Sequence, residues 1–152
     1  MTRLSPELSI SAQPGSSVRQ RGSIQGPYPG KVCLMAKYML LIYGDAEQWE
    51  SMTPEQGAAH DAAHVAFRDS AGVQIIGGHE LVSSPVATSL RADAAGDVML
   101  TDGPFLETKE ALGGYYLLEA DDLDQVVKLA SLLPEVRAGH SGVEIRPVLE
   151  HE

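Results

Sequence analysis

Apolar positions in most of the chain recur with the periods of alternating strands and helices. Residues 38–43 form a short apolar and aromatic run that ends at Gly44, which predicts a strand. A helix is predicted to start next, because Thr53 can cap it, Pro54 suits its first position and Gln56 completes a capping box. The same pattern continues to about residue 71, and the helix is expected to stop at the following glycine, Gly72.

The remaining elements follow in an order that defines a fold class. Strands are predicted at 73–76, 88–91, 98–101, 112–120 and 143–148, with a second helix between Asp121-Asp122 and Pro134. The two middle strands follow each other as a hairpin, separated by a turn rich in Asp and Gly. This order predicts an α+β, ferredoxin-like split βαβ fold, with two helices on one face of an antiparallel sheet and an extra β-hairpin.

Two of the predicted strands are apolar on both faces. Every residue from Tyr38 to Tyr43 is apolar or aromatic, and residues 115–118 repeat the pattern. Because successive strand residues point to opposite faces, the helices can cover only half of these side chains. An identical sheet is the simplest cover for the rest, which predicts a two-fold homodimer, a dimeric α+β barrel. The alternative is that these strands are central and that their neighbours carry the polar face.

The first part of the chain has a different character. Residues 1–34 are rich in Ser, Gly and Pro and carry four basic residues against one acid, Glu7. No strand or helix period is present, so we expect a disordered N-terminal extension at 1–34, followed by one domain at 35–152. Met35 resembles a natural translation start.

Composition excludes several classes of protein. The 152 residues suffice for one domain, and 11 basic against 21 acidic residues give a net charge of −10. This balance argues against a nucleic-acid binder and against an anionic membrane surface. No apolar run approaches the roughly 20 residues of a membrane span. The single cysteine, Cys33, excludes an internal disulfide framework and fits a cytoplasmic protein.

The first helix carries a pair of histidines, His60 and His64, spaced to share one face. They lie along the edge of the predicted inward stripe, which Ala59, Ala63, Phe67 and Ser70 centre. Such a pair can be satisfied structurally by its neighbours, act as general acid and base, or form half of a zinc site. A zinc site needs a third ligand, for which His79 and Asp102 are the candidates. We expect no metal and no cofactor, since the sequence has no dinucleotide, P-loop or HExxH motif.

The segment DGPFLETKE, residues 102–110, is the most unusual in the chain. Asp-Gly predicts a tight turn, and Phe105 is expected to anchor the loop from below. Glu107 and Lys109 belong to a charge cluster larger than a turn needs. Asp102 could orient a histidine, or cap its own turn.

These residues carry a family resemblance. The run DGPFLETKEALGGYYLLE at 102–119 resembles the signature of DGPF-type proteins in the YCII-related family, and the similarity extends over 37–149. The resemblance implies a ferredoxin-like domain, a dimeric α+β barrel and a cytoplasmic location. It also implies a His/Asp site between sheet and helix, whose histidine best matches His60. Asp102 as its carboxylate is our own inference.

Two functions are compatible with these features. The first is a small-molecule enzyme of isomerase or lyase type, with His60 or His64 as acid/base and Asp102 as orienter. Its expected ligand-binding residues are His79, Phe105, Glu107, Lys109 and Tyr115. The alternative is a non-catalytic regulator of transcription that meets a partner such as an alternative sigma factor through its acidic surface.

Overall fold

The computed structural model describes residues 35–106 and 108–150, except for the side chain of Val73. The predicted extension at 1–34 lies outside the described residues. The strands are β1 Ala36–Asp45, β2 Ile75–Glu80, β3 Thr88–Ala92, β4 Val98–Asp102, β5 Glu110–Ala120 and β6 Ser141–Pro147. The helices are α1 Ala46–Glu50, α2 Pro54–Ala71 and α3 Leu123–Ala130, with single 3-10 turns at Gly72–Gln74, Ser84–Val86 and Pro134–Val136. Among the described helices, none is long and apolar enough to cross a membrane.

Four strands form one antiparallel sheet in the order β2-β5-β1-β6. β3 and β4 pair with each other in a separate two-stranded sheet, inserted in the chain between β2 and β5. This topology confirms the predicted α+β class, and it is consistent with a ferredoxin-like arrangement that carries an extra hairpin.

Helix α2 begins and ends as the sequence predicts. The Thr53 hydroxyl accepts a hydrogen bond from the Gln56 amide at 3.3 Å, and the Gln56 side chain accepts one from the Thr53 amide at 2.9 Å. This reciprocal capping box satisfies two of the free amides at the helix start. At the other end Gly72 has a φ of +55°, a value that favours glycine.

The core lies between the helices and one face of the sheet. Its fully buried members come from β1, α2, β5, α3 and the turn after α3: Leu40, Phe67, Leu118, Val126 and Leu133. The opposite face carries Met39, Leu41 and Tyr43, which are half-buried. The predicted alternation of two apolar faces is therefore present, and the homodimer remains a prediction.

Two short elements differ from the sequence prediction. The chain forms α1 directly after β1, because the Asp45 carboxylate caps it by accepting a hydrogen bond from the Glu47 amide at 3.0 Å. Helix α3 ends at Ala130, earlier than predicted, and Pro134 opens a 3-10 turn instead of closing the helix. Burial of Leu133 fixes the path of this turn against the core.

Candidate functional site

The two histidines of α2 converge on one buried carboxylate. Nε2 of His60 lies 2.9 Å from Oε1 of Glu135, and Nε2 of His64 lies 2.8 Å from the same oxygen. The side chains of His60 and His64 are 28% and 14% exposed, whereas that of Glu135 is 3% exposed. An ionised carboxylate can only accept hydrogen bonds, so each Nε2 carries the ring proton and donates a hydrogen bond to Glu135.

The inward face of α2 is rotated slightly from the predicted stripe. Phe67 and Ala71 are buried, while Ala59 and Ser70, which the sequence placed at the centre of the stripe, are exposed. The histidines therefore belong to the inward face itself rather than to its edge. Hydrogen bonding to Glu135 makes this rotation favourable, because it satisfies polar groups that would otherwise be buried without partners.

Glu135 occupies the 3-10 turn that follows α3. Burial alone would raise the pKa of Glu135, but the hydrogen bond from His64, the backbone amide of Glu135 itself and the charges of His64 and His60 outweigh it. The pKa of this carboxyl is therefore held below its ordinary value. Its second oxygen, Oε2, is buried and meets no hydrogen-bond partner among the described residues.

Tyr116 of β5 forms a hydrogen bond with the second ring nitrogen of His64. Its hydroxyl lies 3.0 Å from Nδ1 of His64 and accepts a hydrogen bond from Nη1 of Arg68 at 3.4 Å. The ring of Tyr116 packs on Phe67, with centroids 4.9 Å apart. Gly78 makes room for it, because a Cβ there would lie 2.6 Å from the Tyr116 ring. Gly78 therefore has a structural role beside the site.

A cavity of about 800 Å³ opens at the histidine cluster. His60, His64, Tyr116 and Glu135 line it together with Trp49 of α1. Trp49 packs over Gly113, where a Cβ would lie 2.5 Å from its ring. The cluster is thus accessible from a concave surface that combines aromatic walls with a few polar groups, which is typical of small-molecule sites.

The two histidines differ in what remains available for chemistry. His64 uses both ring nitrogens, one toward Glu135 and one toward Tyr116. His60 donates from Nε2, and its Nδ1 forms no hydrogen bond within the described part of the chain. A carboxylate that fixes one ring nitrogen as the proton carrier leaves the other as a lone pair, which is the geometry of an oriented general base.

The structure separates the residues that the sequence assigned to this site. His60 and His64 lie together, but Asp102 is exposed at the end of β4 in the separate hairpin. The carboxylate that the histidines meet is Glu135, which the sequence analysis missed. The available signal was an acid enclosed by apolar residues, since Glu135 lies in the run Leu132-Leu133-Pro134-Glu135-Val136.

His79 and Tyr115 line the cavity but do not belong to the cluster. They are direct neighbours across β2 and β5, with ring centroids 6.0 Å apart. Because successive strand residues alternate, their side chains lie on the face opposite Tyr116. Their assignment to ligand binding remains a prediction.

The loop after β4 is more exposed than the sequence analysis expected. Phe105 is 59% exposed, so it does not anchor the loop from below; instead the Arg91 guanidinium stacks on its ring at 3.9 Å. Lys109 is also exposed, and Glu107 lies outside the described residues. The described residues of this loop form no hydrogen bond or ion pair with the His60–Glu135 cluster, and the role of the loop in ligand binding remains a prediction.

Comparison with known proteins identifies a matching domain family and a related bacterial protein. The YCII-related domain family matches residues 36–152. An uncharacterised protein of Rhizobium meliloti strain 1021 is 33% identical over 119 residues, which span 73% of this chain and 90% of that protein. The family match over residues 36–152 includes every strand and helix described above, from β1 to β6. The chain belongs to the YCII-related family.

Proposed function

We propose that this YCII-related protein binds a small molecule in the cavity beside α2 and exchanges protons with it through the His60–Glu135–His64 cluster. One observation carries the proposal: a histidine oriented by a buried carboxylate leaves a ring nitrogen free at the wall of a cavity. The reaction class that fits is proton transfer, as in isomerisation or elimination.

The roles within the cluster follow from the hydrogen bonds. Glu135 fixes the tautomer of His60, so that Nδ1 of His60 accepts the proton from the ligand. His64 is a positioning residue, because it is tied at both ring nitrogens and holds Glu135 in place. Asp102, the carboxylate inferred from the sequence, is replaced in this role by Glu135.

The cavity also favours a class of ligand. Arg68 lies at its wall, is exposed and forms no ion pair with any described residue. Four acids also line the cavity, Glu50, Asp61, Glu80 and Glu135, but none of them pairs with this guanidinium. Arg68 can therefore bind a carboxylate or another anionic oxygen on the ligand. We therefore propose a small carboxylic acid with a C–H bond made acidic by a neighbouring carbonyl group as the ligand.

Trp49 offers a direct test of binding. It is the single tryptophan of the chain and lines the cavity, so its fluorescence reports occupancy of the site. The probes are a panel of β-keto acids and unsaturated lactone acids. We expect saturable quenching by at least one panel member, weakened about tenfold or more in Arg68→Ala, since charge-assisted hydrogen bonds are the strong ones.

A matched variant separates a specific effect from a general one. His140→Ala removes a histidine that does not line this cavity, so binding is expected to persist. If no panel member quenches Trp49, or if quenching is the same in Arg68→Ala as in the wild type, the proposed ligand class is wrong.

The protein is further proposed to work as a homodimer through the open face of the sheet. Met39, Leu41 and Leu117 form its half-buried apolar centre, and no described helix covers them. Lys37, which forms an ion pair with Glu150, lies opposite Glu119 across β1 and β5 at the edge of this apolar centre. The hairpin adds exposed Leu90, Val98 and Leu100. A cytoplasmic location is part of this proposal and rests on the single cysteine of the chain.

A further inference from the structure

The His60–Glu135–His64 cluster has the composition of a divalent metal site. One ligand atom from each of the three residues can be chosen so that all lie within 4.8 Å of one another. Two imidazoles and one carboxylate form a donor set that suits Zn²⁺ and other first-row divalent ions. No metal was expected from the sequence, and the candidates for a third ligand were His79 and Asp102; the structure instead brings Glu135 to the histidine pair.

A second observation points to a missing partner at this cluster. Both histidines donate to the same oxygen of Glu135, while Oε2 is buried without a hydrogen bond to any described residue. Burial of a carboxylate oxygen without a hydrogen bond is unfavourable, because the oxygen loses its water and gains no partner. A cation held at the carboxylate would compensate the charge that this oxygen carries.

The surroundings of His64 match those of a metal-binding imidazole. A metal-ligating histidine almost always uses its other ring nitrogen in a hydrogen bond that fixes the orientation of the ring. Nδ1 of His64 meets the Tyr116 hydroxyl at 3.0 Å, and Arg68 in turn donates to that hydroxyl. Nε2 is therefore the atom of His64 that faces the proposed site.

The fit requires a small opening of the cluster. Zn–N and Zn–O distances of about 2.0–2.1 Å at tetrahedral angles separate ligand atoms by roughly 3.3 Å. The two nitrogens now lie 2.9 and 2.8 Å from Oε1. Each must therefore move by roughly half an ångström, which is within the reach of side-chain rotation at the two partly exposed histidines.

We propose that His60, His64 and Glu135 bind one divalent first-row metal ion, with Zn²⁺ as the best match. Three protein ligands leave a further coordination position open toward the cavity, which is the arrangement of catalytic rather than structural zinc. With the ion bound, each imidazole would carry its proton on Nδ1 and present the lone pair of Nε2 to the ion. The role of the ion rests on the proposed function: the ion-free protein exchanges protons at Nδ1 of His60, and a bound ion would instead supply a water of lowered pKa for the same exchange.

The test is a titration of the full chain, stripped with a chelator, with Zn²⁺ alone by isothermal calorimetry and with Co²⁺ by visible absorption. We expect one ion per chain and the absorption of Co²⁺ bound to nitrogen and oxygen. Binding is expected to weaken at least about a hundredfold in His64→Ala and in Glu135→Gln, since even outer partners of a metal contribute 10–100-fold. Tyr116→Phe is expected to weaken it by about tenfold.

Controls keep the result interpretable. His79→Ala and His140→Ala remove histidines outside the cluster and should bind the ion as the wild type does. His60→Ala serves as a further ligand variant, because this half-exposed side chain can be removed with little damage to the fold. Absence of a saturable site, or equal binding by His60→Ala, His64→Ala and the wild type, would overturn the proposal.

The outcome is separable from that of the proposed function. Quenching of Trp49 by the acid panel is measured on the chelator-treated protein. Ligand binding without ion binding rejects the metal site alone, whereas ion binding without ligand binding supports the metal site and rejects the proposed ligand.

Discussion

Nε2 of His64 lies 2.8 Å from Oε1 of Glu135, a residue 71 positions further along the chain. This contact joins the middle of α2 to the turn after α3, two elements that pack on the same face of the sheet. It also joins the partly exposed histidine pair, which borders the cavity, to a carboxylate that is only 3% exposed. The account of function depends on this junction.

Replacing Glu135 by Gln tests what the carboxylate contributes to stability. The variant keeps the shape of the side chain but loses the charge that accepts from both histidines, so we expect the free energy of unfolding to fall by about 1–3 kcal/mol at neutral pH. Urea denaturation of chelator-treated wild type and variant, with circular dichroism as the readout, measures the difference.

The same pair of proteins tests the pKa of Glu135. Because this pKa in the folded state is depressed below the ordinary 4.5, the carboxylate contributes stability above pH 4.5 and loses it as pH falls through the folded pKa. The difference between wild type and Glu135→Gln should therefore shrink as the pH is lowered from 4.5 through the folded-state pKa. A difference that stays constant over this range would show that Glu135 is not held ionised by its neighbours.

Tyr116→Phe separates packing from hydrogen bonding at His64. The ring contact with Phe67 is retained, and only the hydroxyl that meets His64 and Arg68 is lost. We expect the free energy of unfolding to fall by about 1 kcal/mol, the net contribution of one hydrogen bond. Thermal unfolding measures this change. A loss of stability as large as that of Tyr116→Ala would mean that the hydroxyl, and not the ring contact with Phe67, accounts for what Tyr116 contributes.

Gly113→Ala tests the wall that Trp49 provides. The new Cβ would lie 2.5 Å from the Trp49 ring, so the ring must shift and α1 with it. We expect destabilisation by about 1–3 kcal/mol and a red-shifted emission as Trp49 becomes more exposed to water.

Gly57→Ala is the matched control for that substitution. Gly57 lies inside α2, and a Cβ there meets nothing within 4 Å. Alanine is the better helix former, so this variant should be more stable by about 0.5–1 kcal/mol and leave the emission of Trp49 unchanged. Opposite signs for the two glycines are the expected result; equal effects would contradict the packing described here.

Leu117→Arg tests the homodimer. It places a charge at the apolar centre of the open sheet face, opposite Met39. We expect wild-type protein to behave as a dimer and the variant as a folded monomer in light scattering at micromolar concentration. Val127→Arg, at a 45% exposed position on α3, should remain dimeric. A monomeric wild type would reject the proposed interface.

Local signals predicted most of the fold. The capping box at Thr53 and Gln56 and the stop at Gly72 depend on neighbouring residues, so they can be found in the sequence. The hairpin and the alternation of apolar faces are equally local. Helix α1 was missed because its cap, Asp45, also marks the end of a strand.

The sequence predicted the two histidines of the cluster but not the carboxylate that they contact. His60 and His64 share a helix face, which the sequence shows, but Glu135 comes from a distant turn that only the packed fold brings near. Asp102 was favoured because it belongs to a conspicuous loop, and such loops attract functional assignment. Burial of an acid cannot be judged from its neighbours in sequence alone, although the apolar context of Glu135 is informative. A regulatory role with an alternative sigma factor remains a prediction that no contact described here tests.

The most direct measurement of the central claim is deuterium exchange into a bound ligand. The chelator-treated protein is incubated in D₂O with the panel members that quench Trp49, and loss of the acidic C–H signal is followed by proton NMR. The account predicts exchange that is faster than in buffer, abolished in His60→Ala and retained in His140→Ala, which lies outside the cavity lining. Exchange that is no faster than in buffer, or that survives in His60→Ala, would contradict proton transfer by His60 oriented by Glu135.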